Sequence, residues 1–330
     1  MHIGQALELV SRYDPLRNPL TSLGDYLDPE LISRCLAEAG TVTLRKRRLP
    51  LEMMVWCIVG MALERKEPLH QIMNRLDIML PGNRPFVAPS AVIQARQRLG
   101  SEAVRRVFTQ TAQLWNGATM HPNWCGLTLL AVDGVFWRTP DTPENDTAFP
   151  RQMHGGKPGL YPQVKMVCQM ELTSHLLTSM TDAMRYPGAE MADLYSHRWE
   201  IELGYREIKQ TMQLSRLTLR SKKPELVEQE LWGVLLAYNL VRYQMIKMAG
   251  HLKGYWPNQL SLSESCGMVM RMLMTLQGAS PGRIPELIRD LESMGQLVKL
   301  PTRRERAFPR VVKERPWKYP TAPKKSQSVA

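Results

Sequence analysis

The chain has 330 residues, which is enough for two domains with cores of their own. Lys and Arg number 43 and Asp and Glu 31, and the formal net charge of +12 favours a polyanionic partner, most often nucleic acid. The five cysteines are scattered, which excludes a disulfide framework and indicates a reducing compartment. No apolar run could span a bilayer and no signal peptide opens the sequence, so we expect a cytoplasmic protein without membrane contact.

The first 120 residues predict helices throughout, at 29–40, 51–64, 68–80, 91–99 and 101–115. Asp28 followed by Pro29 is a typical start, and Gly100 separates the last two helices. The helix at 91–99 is polar and carries Gln94, Arg96, Gln97 and Arg98. Arg and Gln make bidentate contacts to base edges, so this helix could read DNA. It could equally be a charged surface helix of an ordinary helical domain.

A change of period marks a second region. The uncharged run 127–132 predicts a buried central strand that ends at Asp133 and Gly134. A carboxylate at a strand end is a common catalytic or metal position, and an Asp-Gly turn is the alternative. A long loop is predicted over 139–160, and two further strands at 161–172 and 175–180.

The C-terminal third returns to helices. A basic connector over 215–224 carries Arg220, Lys222 and Lys223. A long, largely buried helix is predicted at 225–249, with further helices at 263–276 and 284–294. The last 30 residues, 301–330, are rich in Lys, Arg and Pro without periodicity, which predicts a flexible tail that binds phosphate backbones.

One helix, starting near residue 189, concentrates polar residues on a single face. Tyr195, Arg198, Glu202 and Lys209 fall within an arc of roughly 60° on an ideal helix. A carboxylate flanked by cations suits a site for metal and phosphate. Charges at such spacings are also common on solvated helix faces, so helix geometry alone leaves both interpretations open.

Asp133 and Glu202 then stand on a strand and on a helix that can pack against the same sheet. Acidic residues on such a scaffold can hold divalent cations that activate a water or 3′-hydroxyl for attack on phosphate. Mg²⁺ is suited to such a site because it binds few carboxylates and keeps its waters.

These residues carry a resemblance to a known family. The spacing Tyr-x2-Arg-x3-Glu-x6-Lys at 195–209, the segment around Asp133 and Thr-Pro-Asp-Thr-Pro-Glu-Asn at 139–145 resemble a bacterial insertion-sequence transposase of the DDE, ribonuclease-H-like class, insertion-sequence-four group. The resemblance covers nearly all of the chain. It implies a helical N-terminal DNA-binding domain at 1–122, a truncated ribonuclease-H-like core at 123–214, a helical region at 215–300 and the basic tail, an α+β but mostly α chain.

The resemblance also implies roles. Asp133 and Glu202 would be catalytic ligands of Mg²⁺ or Mn²⁺. The residues expected to bind DNA are Tyr195, Arg198, Lys209, Arg96, Arg98, Arg220, Lys222 and Lys223. The partner would be double-stranded DNA, both the terminal inverted repeats of the transposon and its target, with the enzyme as a homodimer on DNA in the bacterial cytoplasm, associated with the nucleoid.

The sequence departs from the family in one respect. The family has a third acid on a fourth strand, but only the 61 residues 134–194 separate Asp133 from Tyr195. Parallel crossovers of a dozen or more residues each do not fit there. We therefore expect an internal deletion with its seam near 175–180, and a transposase with impaired cleavage. The alternatives are a non-catalytic DNA-binding remnant, which could inhibit full-length transposase, and a general metal-dependent nuclease.

Overall fold

A computed structural model describes residues 27–41, 50–75, 88–119, 130–171, 177–178, 199–212, 218–278 and 281–301. Residues Met1–Lys299 form one compact unit and Leu300–Ala330 a second. The predicted basic tail lies almost entirely outside the described residues.

The N-terminal part is helical, as predicted. Its helices are α1 (Pro29–Glu38), α2 (Leu51–Leu63), α3 (Leu69–Arg75) and α4 (Pro89–Ala118). The Asp28 carboxylate accepts the Glu30 N–H at 3.0 Å, which confirms the predicted cap. Gly100 interrupts α4 with φ 71° and ψ 173°, so α4 consists of two helical halves. The separation predicted at this glycine is confirmed, because only glycine adopts this backbone at no steric cost.

The second region is a small antiparallel sheet. Strand β1 (Leu130–Arg138) is followed by the short helix α5 (Pro143–Ala148), the hairpin β2 (Met153–His154) and β3 (Lys157–Pro158), and then β4 (Gln163–Glu171) and β5 (Leu177–Thr178). The sheet order is β1-β4-β5. The chain is thus mostly helical with a small sheet.

Two details of the prediction are wrong. Asp133 does not end its strand but lies inside β1, opposite Cys168 of β4. The strand continues because Val135 and Trp137 alternate into the core, where both are buried. The predicted loop at 139–160 contains α5 and the hairpin β2–β3, whose turn uses the positive φ of Gly155 and Gly156.

The two faces of the sheet differ. Val135, Trp137 and Met170 point into the core. On the opposite face, Val132, Phe136 and Val167 are 58%, 43% and 60% exposed. On the edge of β1 away from β4, the described residues supply a single bridge, between Arg138 and Thr218. Among the described residues, β1 is therefore an edge strand with an exposed apolar face, and the prediction of a buried central strand is wrong.

The helix α6 (Trp199–Arg206) carries Glu202 and passes into a π-helical segment, Glu207–Met212. The long helix α7 (Pro224–Gly250) follows. It packs against α2 and α4, where Trp115 stacks on Tyr243 with ring centroids 5.5 Å apart. The predicted burial of this helix is confirmed at Leu236, Asn239 and Leu240. The N-terminal helices and α7 thus share one core.

The remaining elements close the first unit. They are a 3₁₀ turn (Pro257–Gln259), α8 (Leu262–Gly278), a second turn (Pro281–Arg283), α9 (Ile284–Ser293) and a last turn (Met294–Val298). A bridge between Leu260 and Lys299 ties the end of this region back to the start of α8. Among the described helices, none combines the length and apolar character needed to cross a membrane.

Candidate active site and DNA-binding residues

Tyr205 fastens helix α6 to the strand that carries Asp133. Its hydroxyl donates to the Asp133 carbonyl at 2.6 Å and accepts the Cys168 N–H at 3.2 Å. Asp133 and Cys168 are partners in the β1–β4 register, so one side chain bridges two opposed strands. The residue itself is buried. The relative position of strand and helix is therefore set at Asp133.

Burial keeps this bridge in its protonated form. The pKa of the Tyr205 hydroxyl is raised well above its usual range, chiefly by burial. Burial also raises the pKa of the Cys168 thiol to about 11, although the hydrogen bond with Tyr205 opposes this. Both groups are neutral at neutral pH, so the Tyr205 hydroxyl remains a donor to the Asp133 carbonyl.

The two candidate carboxylates differ in solvent exposure. Asp133 is exposed, and one of its oxygens accepts the N–H of Gly134 at 2.7 Å. Glu202 is half-buried and lies one helical turn before Tyr205, roughly 5 Å along the axis. Helix α6 packs on β1. The fold thus brings together the elements that carry these two residues.

This donor set fits a divalent cation only in part. Carboxylate oxygens are the donors that Mg²⁺ or Mn²⁺ prefers, and both cations keep several waters when few protein ligands are present. Among the described residues, no group of three or more Asp, Glu, His or Cys side chains is arranged to hold a metal ion. Asp133 and Glu202 could contribute to one cation site, but a second site would need ligands from elsewhere.

Lys209 lies in the π-helical segment, half-buried. The ideal-helix arc predicted for this face therefore fails after Arg206, because a π turn is wider than an α turn. The turn coincides with a strong anchor: the Glu207 carboxylate accepts hydrogen bonds from the Tyr238 hydroxyl, at 3.1 Å, and from Arg242, which is fully buried in α7. This anchor holds the segment that presents Lys209. Tyr195 and Arg198 lie outside the described residues.

Arg96 does not lie where a DNA contact needs it. It is 5% exposed. Its Nε donates to the Gln229 side-chain oxygen at 2.9 Å, and a terminal nitrogen donates to the Ser221 hydroxyl at 3.2 Å. Burial lowers the pKa of the guanidinium and the nearby Glu230 carboxylate raises it. The predicted DNA contact gives way to a structural role, because these donors are used inside the fold. Arg98, two residues on, is half-buried.

Arg220 also makes its contacts inside the protein. Its guanidinium donates to the carbonyls of Glu67, at 2.9 Å, and Glu64, at 3.4 Å. Its backbone N–H and that of Ser221 donate to the Glu230 carboxylate of α7, at 3.0 Å each. Arg65 donates to the same carboxylate at 2.5 Å. A buried polar network thus fixes the connector between the end of α2 and α7.

Lys222 and Lys223 are the exposed cations of this connector. The Thr142 hydroxyl donates to the Lys222 carbonyl at 2.8 Å, and the Asn145 amide donates to the Ser221 carbonyl at 3.3 Å. Both donors belong to the segment 139–145 that resembles the family. That segment therefore supports a rigid connector whose two lysines point away from the core, as phosphate-binding residues require.

The sequence indicated neither Tyr205 nor Glu230 as a functional residue. Tyr205 lies on the apolar side of its helix, and only the choice of tyrosine over phenylalanine signals that a buried hydroxyl needs partners. Glu230 is a charge on the buried side of a helix whose buried residues are mostly apolar. Such a charge predicts a buried cation partner, but periodicity alone does not identify Arg65 as that partner.

The strand and the helix that carry the two candidate acids are fastened together, an arrangement expected of a DDE transposase site. A family profile described as "Transposase DDE domain" matches residues 177–240. A second, described as "Insertion element 4 transposase N-terminal", matches residues 17–109. No solved structure is significantly similar to the chain.

Two curated proteins of Escherichia coli strain K12 are similar to the chain. "Transposase InsG for insertion sequence element IS4" is 70% identical over 442 aligned residues, with 100% of both chains covered. "Putative transposase InsZ" is 35% identical over 181 residues, which are 51% of this chain and 57% of that protein. The chain therefore belongs to the IS4 family of insertion-sequence transposases, as the resemblance predicts.

The first alignment also bears on the expected deletion. It runs over 442 positions, whereas this chain has 330 residues, so 442 − 330 = 112 positions have no residue of this chain opposite them. Both ends of the two proteins are covered, so these positions are internal.

Proposed function

We propose that this transposase binds the terminal inverted repeats of its insertion sequence and that its strand cleavage and transfer are impaired. The gap of 112 internal positions against a relative of 70% identity carries this proposal. The match to the DDE profile begins at Leu177, inside the predicted seam at 175–180. That start supports a deletion between the strand of Asp133 and the helix of Glu202.

The remaining residues support one of the two cation sites that strand cleavage uses. Asp133 and Glu202 would hold a Mg²⁺ or Mn²⁺ ion, which, when bound, supplies charge stabilisation and an activated oxygen nucleophile. Tyr205 holds the strand at the helix. Lys209, with Tyr195 and Arg198, would bind the phosphates at the transposon end. The third acid of the family has no counterpart in the sequence, so charge that develops on the leaving oxygen would lack its second cation.

The DNA-binding half does not depend on that acid. The charge of +12 and the exposed Lys222 and Lys223 favour binding to phosphates. DNA binding of this kind should weaken steeply as salt concentration rises.

Two assays on one DNA fragment test the proposal. The fragment carries the terminal inverted repeat of the insertion sequence, and an unrelated fragment of equal length is the control. We expect the chain to bind the first fragment in preference to the second and to cleave neither appreciably in Mg²⁺ or Mn²⁺. Robust cleavage at the repeat that Asp133→Ala abolishes would refute impaired catalysis. Equal binding to both fragments would refute end recognition.

The same gap favours a second function, inhibition of full-length transposase. A chain that occupies the repeats without cutting them competes with an active relative. Adding this chain to an end-cleavage reaction of the full-length relative should lower the rate in proportion to repeat occupancy. A rate that stays constant while the repeats are occupied by this chain would exclude inhibition. The homodimer on DNA and the nucleoid association expected from the resemblance remain part of this proposal.

A further inference from the structure

The first half of α4, Pro89–Leu99, has two chemically different sides. Its buried side consists of Val92, Ala95, Arg96 and Leu99. Its exposed side carries Ile93, which is 47% exposed, together with Gln94 and Gln97. Gln94 and Gln97 are three residues apart, so their amides lie on one face, roughly 5 Å apart along the axis. We call Ile93, Gln94 and Gln97 the amide face.

The buried side holds this helical half rigidly. Gln229 of α7 accepts from Arg96 Nε, and its amide donates to the carbonyls of Arg96, at 2.9 Å, and Gly100, at 2.8 Å. The Gln229 amide thus also binds Gly100, the residue at which α4 is interrupted. The amide face therefore keeps one orientation with its side chains in solvent. A surface that is already ordered loses little conformational entropy when it binds.

The chemistry of the amide face suits base edges. A glutamine amide can donate to and accept from adenine in the major groove, and apolar side chains contact the thymine methyl group. An α-helix fits the major groove, where successive base pairs are about 3.4 Å apart. Two glutamines one helical turn apart can therefore reach neighbouring base pairs, with Ile93 beside them.

Two exposed lysines follow a residue that contacts this helix. Lys222 and Lys223 follow Ser221, whose hydroxyl accepts from the Arg96 guanidinium, and both lysines are exposed. Phosphate contacts of this kind orient a protein on the duplex, while base contacts supply sequence preference. The amide face carries no charge, so it would contribute selectivity and not general affinity.

We infer that the amide face reads A·T base pairs in the major groove of the terminal inverted repeat, with Gln94 and Gln97 as its specificity-determining residues. This inference rests on the proposed function, because it presupposes that the chain binds the repeat. It replaces Arg96, which the sequence pattern had favoured, by the two amides that the fold leaves in solvent.

Binding of full-length chain to the repeat and to unrelated DNA, measured by fluorescence anisotropy over a range of salt, tests this inference. We expect Gln94→Ala and Gln97→Ala each to lower the preference for the repeat by about 5- to 150-fold. Binding to unrelated DNA and the salt slope should stay unchanged. Gln113→Ala is the matched control, because Gln113 is an exposed glutamine on the second half of the same helix.

A gain-of-function variant removes the ambiguity of misfolding. Arginine reads guanine at N7 and O6, so Gln97→Arg should bind better to a repeat in which one A·T pair is replaced by G·C. If both alanine variants retain the full preference and Gln97→Arg shows no altered preference, the inference is wrong although end recognition stands. If the unaltered chain shows no preference for the repeat, the proposed function fails first, and the inference with it.

Discussion

At the scale of single residues, the Tyr205 hydroxyl links the helix that carries Glu202 to the backbone of Asp133. Tyr205→Phe removes the partner of the Cys168 N–H and one donor to the Asp133 carbonyl. Because the Cys168 N–H is buried and the bond to the Asp133 carbonyl is partly buried, we expect a loss of about 1–3 kcal/mol in the free energy of unfolding. If Asp133 and Glu202 share a cation, its affinity should fall about tenfold, as for other residues that orient metal ligands.

Urea unfolding and a Mn²⁺ titration measure these two effects separately. Tyr161→Phe is the control, since the ring of Tyr161 is exposed and contacts Arg138 through its face. It should change neither quantity. If Tyr205→Phe lowers stability but leaves the Mn²⁺ affinity unchanged, Tyr205 is a structural residue only.

Glu230 is a second residue whose contacts exceed what its position in a mostly apolar helix suggests. Its carboxylate accepts from Arg65, from two backbone N–H groups and from the Ser221 hydroxyl. Glu230→Gln keeps the volume but leaves the buried Arg65 charge without its partner, which should cost about 3–5 kcal/mol. Chemical denaturation of the variant measures this cost.

Glu228→Gln in the same helix is the matched control, because Glu228 is exposed; its effect should stay within about 0.5 kcal/mol. Replacing both Arg65 and Glu230 by Met should restore much of the lost stability, since a buried ion pair is often no better than packed apolar residues. A small loss in Glu230→Gln would show that Arg65 is stabilised by other groups.

At the scale of elements, helices α2 and α7 approach each other at Gly233. A Cβ at this position would overlap Cγ2 of Ile58, and Ile58 is buried and β-branched, so it has little freedom to move. Gly233→Ala should therefore destabilise the protein by about 1–3 kcal/mol, although alanine is the better helix former. Gly267→Ala in α8 meets only ordinary contacts and should stabilise by up to about 1 kcal/mol.

Thermal unfolding of these two glycine variants compares packing with helix propensity. Opposite shifts of the melting temperature are expected. If Gly233→Ala also raises the melting temperature, the two helices are not packed at that distance.

The elements show where local signals suffice and where they do not. Asp28–Pro29 and Gly100 mark helix ends through their own backbone preferences, so these boundaries follow from the sequence. Asp133 and Gly134 carry a turn signal, but pairing with β4 overrides it. Arg96 shares the spacing of Val92 and Leu99, so helical periodicity already places it toward the core; its residue type alone suggested DNA. Gln229 and Ser221, which accept its hydrogen bonds, are too distant in sequence for any local pattern to indicate.

In the candidate site, too, local sequence signals indicate some residues and not the positions of others. The spacing from Tyr195 to Lys209 indicates the family and predicts Glu202 as a site residue, and the segment around Asp133 predicts the second carboxylate. The position of Lys209 does not, because the π turn after Arg206 depends on an anchor in α7.

At the scale of the whole molecule, stability should depend on pH through Glu292. Its carboxyl is buried in α9, and the neighbouring His251 is 3.4 Å away. Burial raises the pKa of Glu292 above its ordinary 4.5, against the opposing effects of His251 and Lys247. A raised pKa means that the folded state holds the proton more tightly than the unfolded state. The contribution of the protonated Glu292 to the free energy of unfolding is therefore full below about pH 4.5. It is lost as the pH rises through the folded-state pKa.

Glu292→Gln should remove this loss of stability at higher pH. The variant and the unaltered chain should differ little at low pH, and the variant should become relatively more stable as the pH approaches neutrality. Urea unfolding at several pH values measures the difference, and Glu286→Gln, at an exposed carboxyl of the same helix, is the control. A constant difference across the range would show that Glu292 does not titrate differently on folding.

The ion pair between Arg65 and Glu230 also limits how early the fold can be completed during translation. Its two residues are 165 positions apart, and a ribosome adds about 5–20 residues per second. Roughly 10–30 s therefore pass between the emergence of the two partners. During that interval α2 can pack against α1, α3 and α4 but lacks the cover that α7 gives its apolar residues in the finished fold. The nascent N-terminal half therefore exposes apolar surface until translation has passed residue 250, where α7 ends.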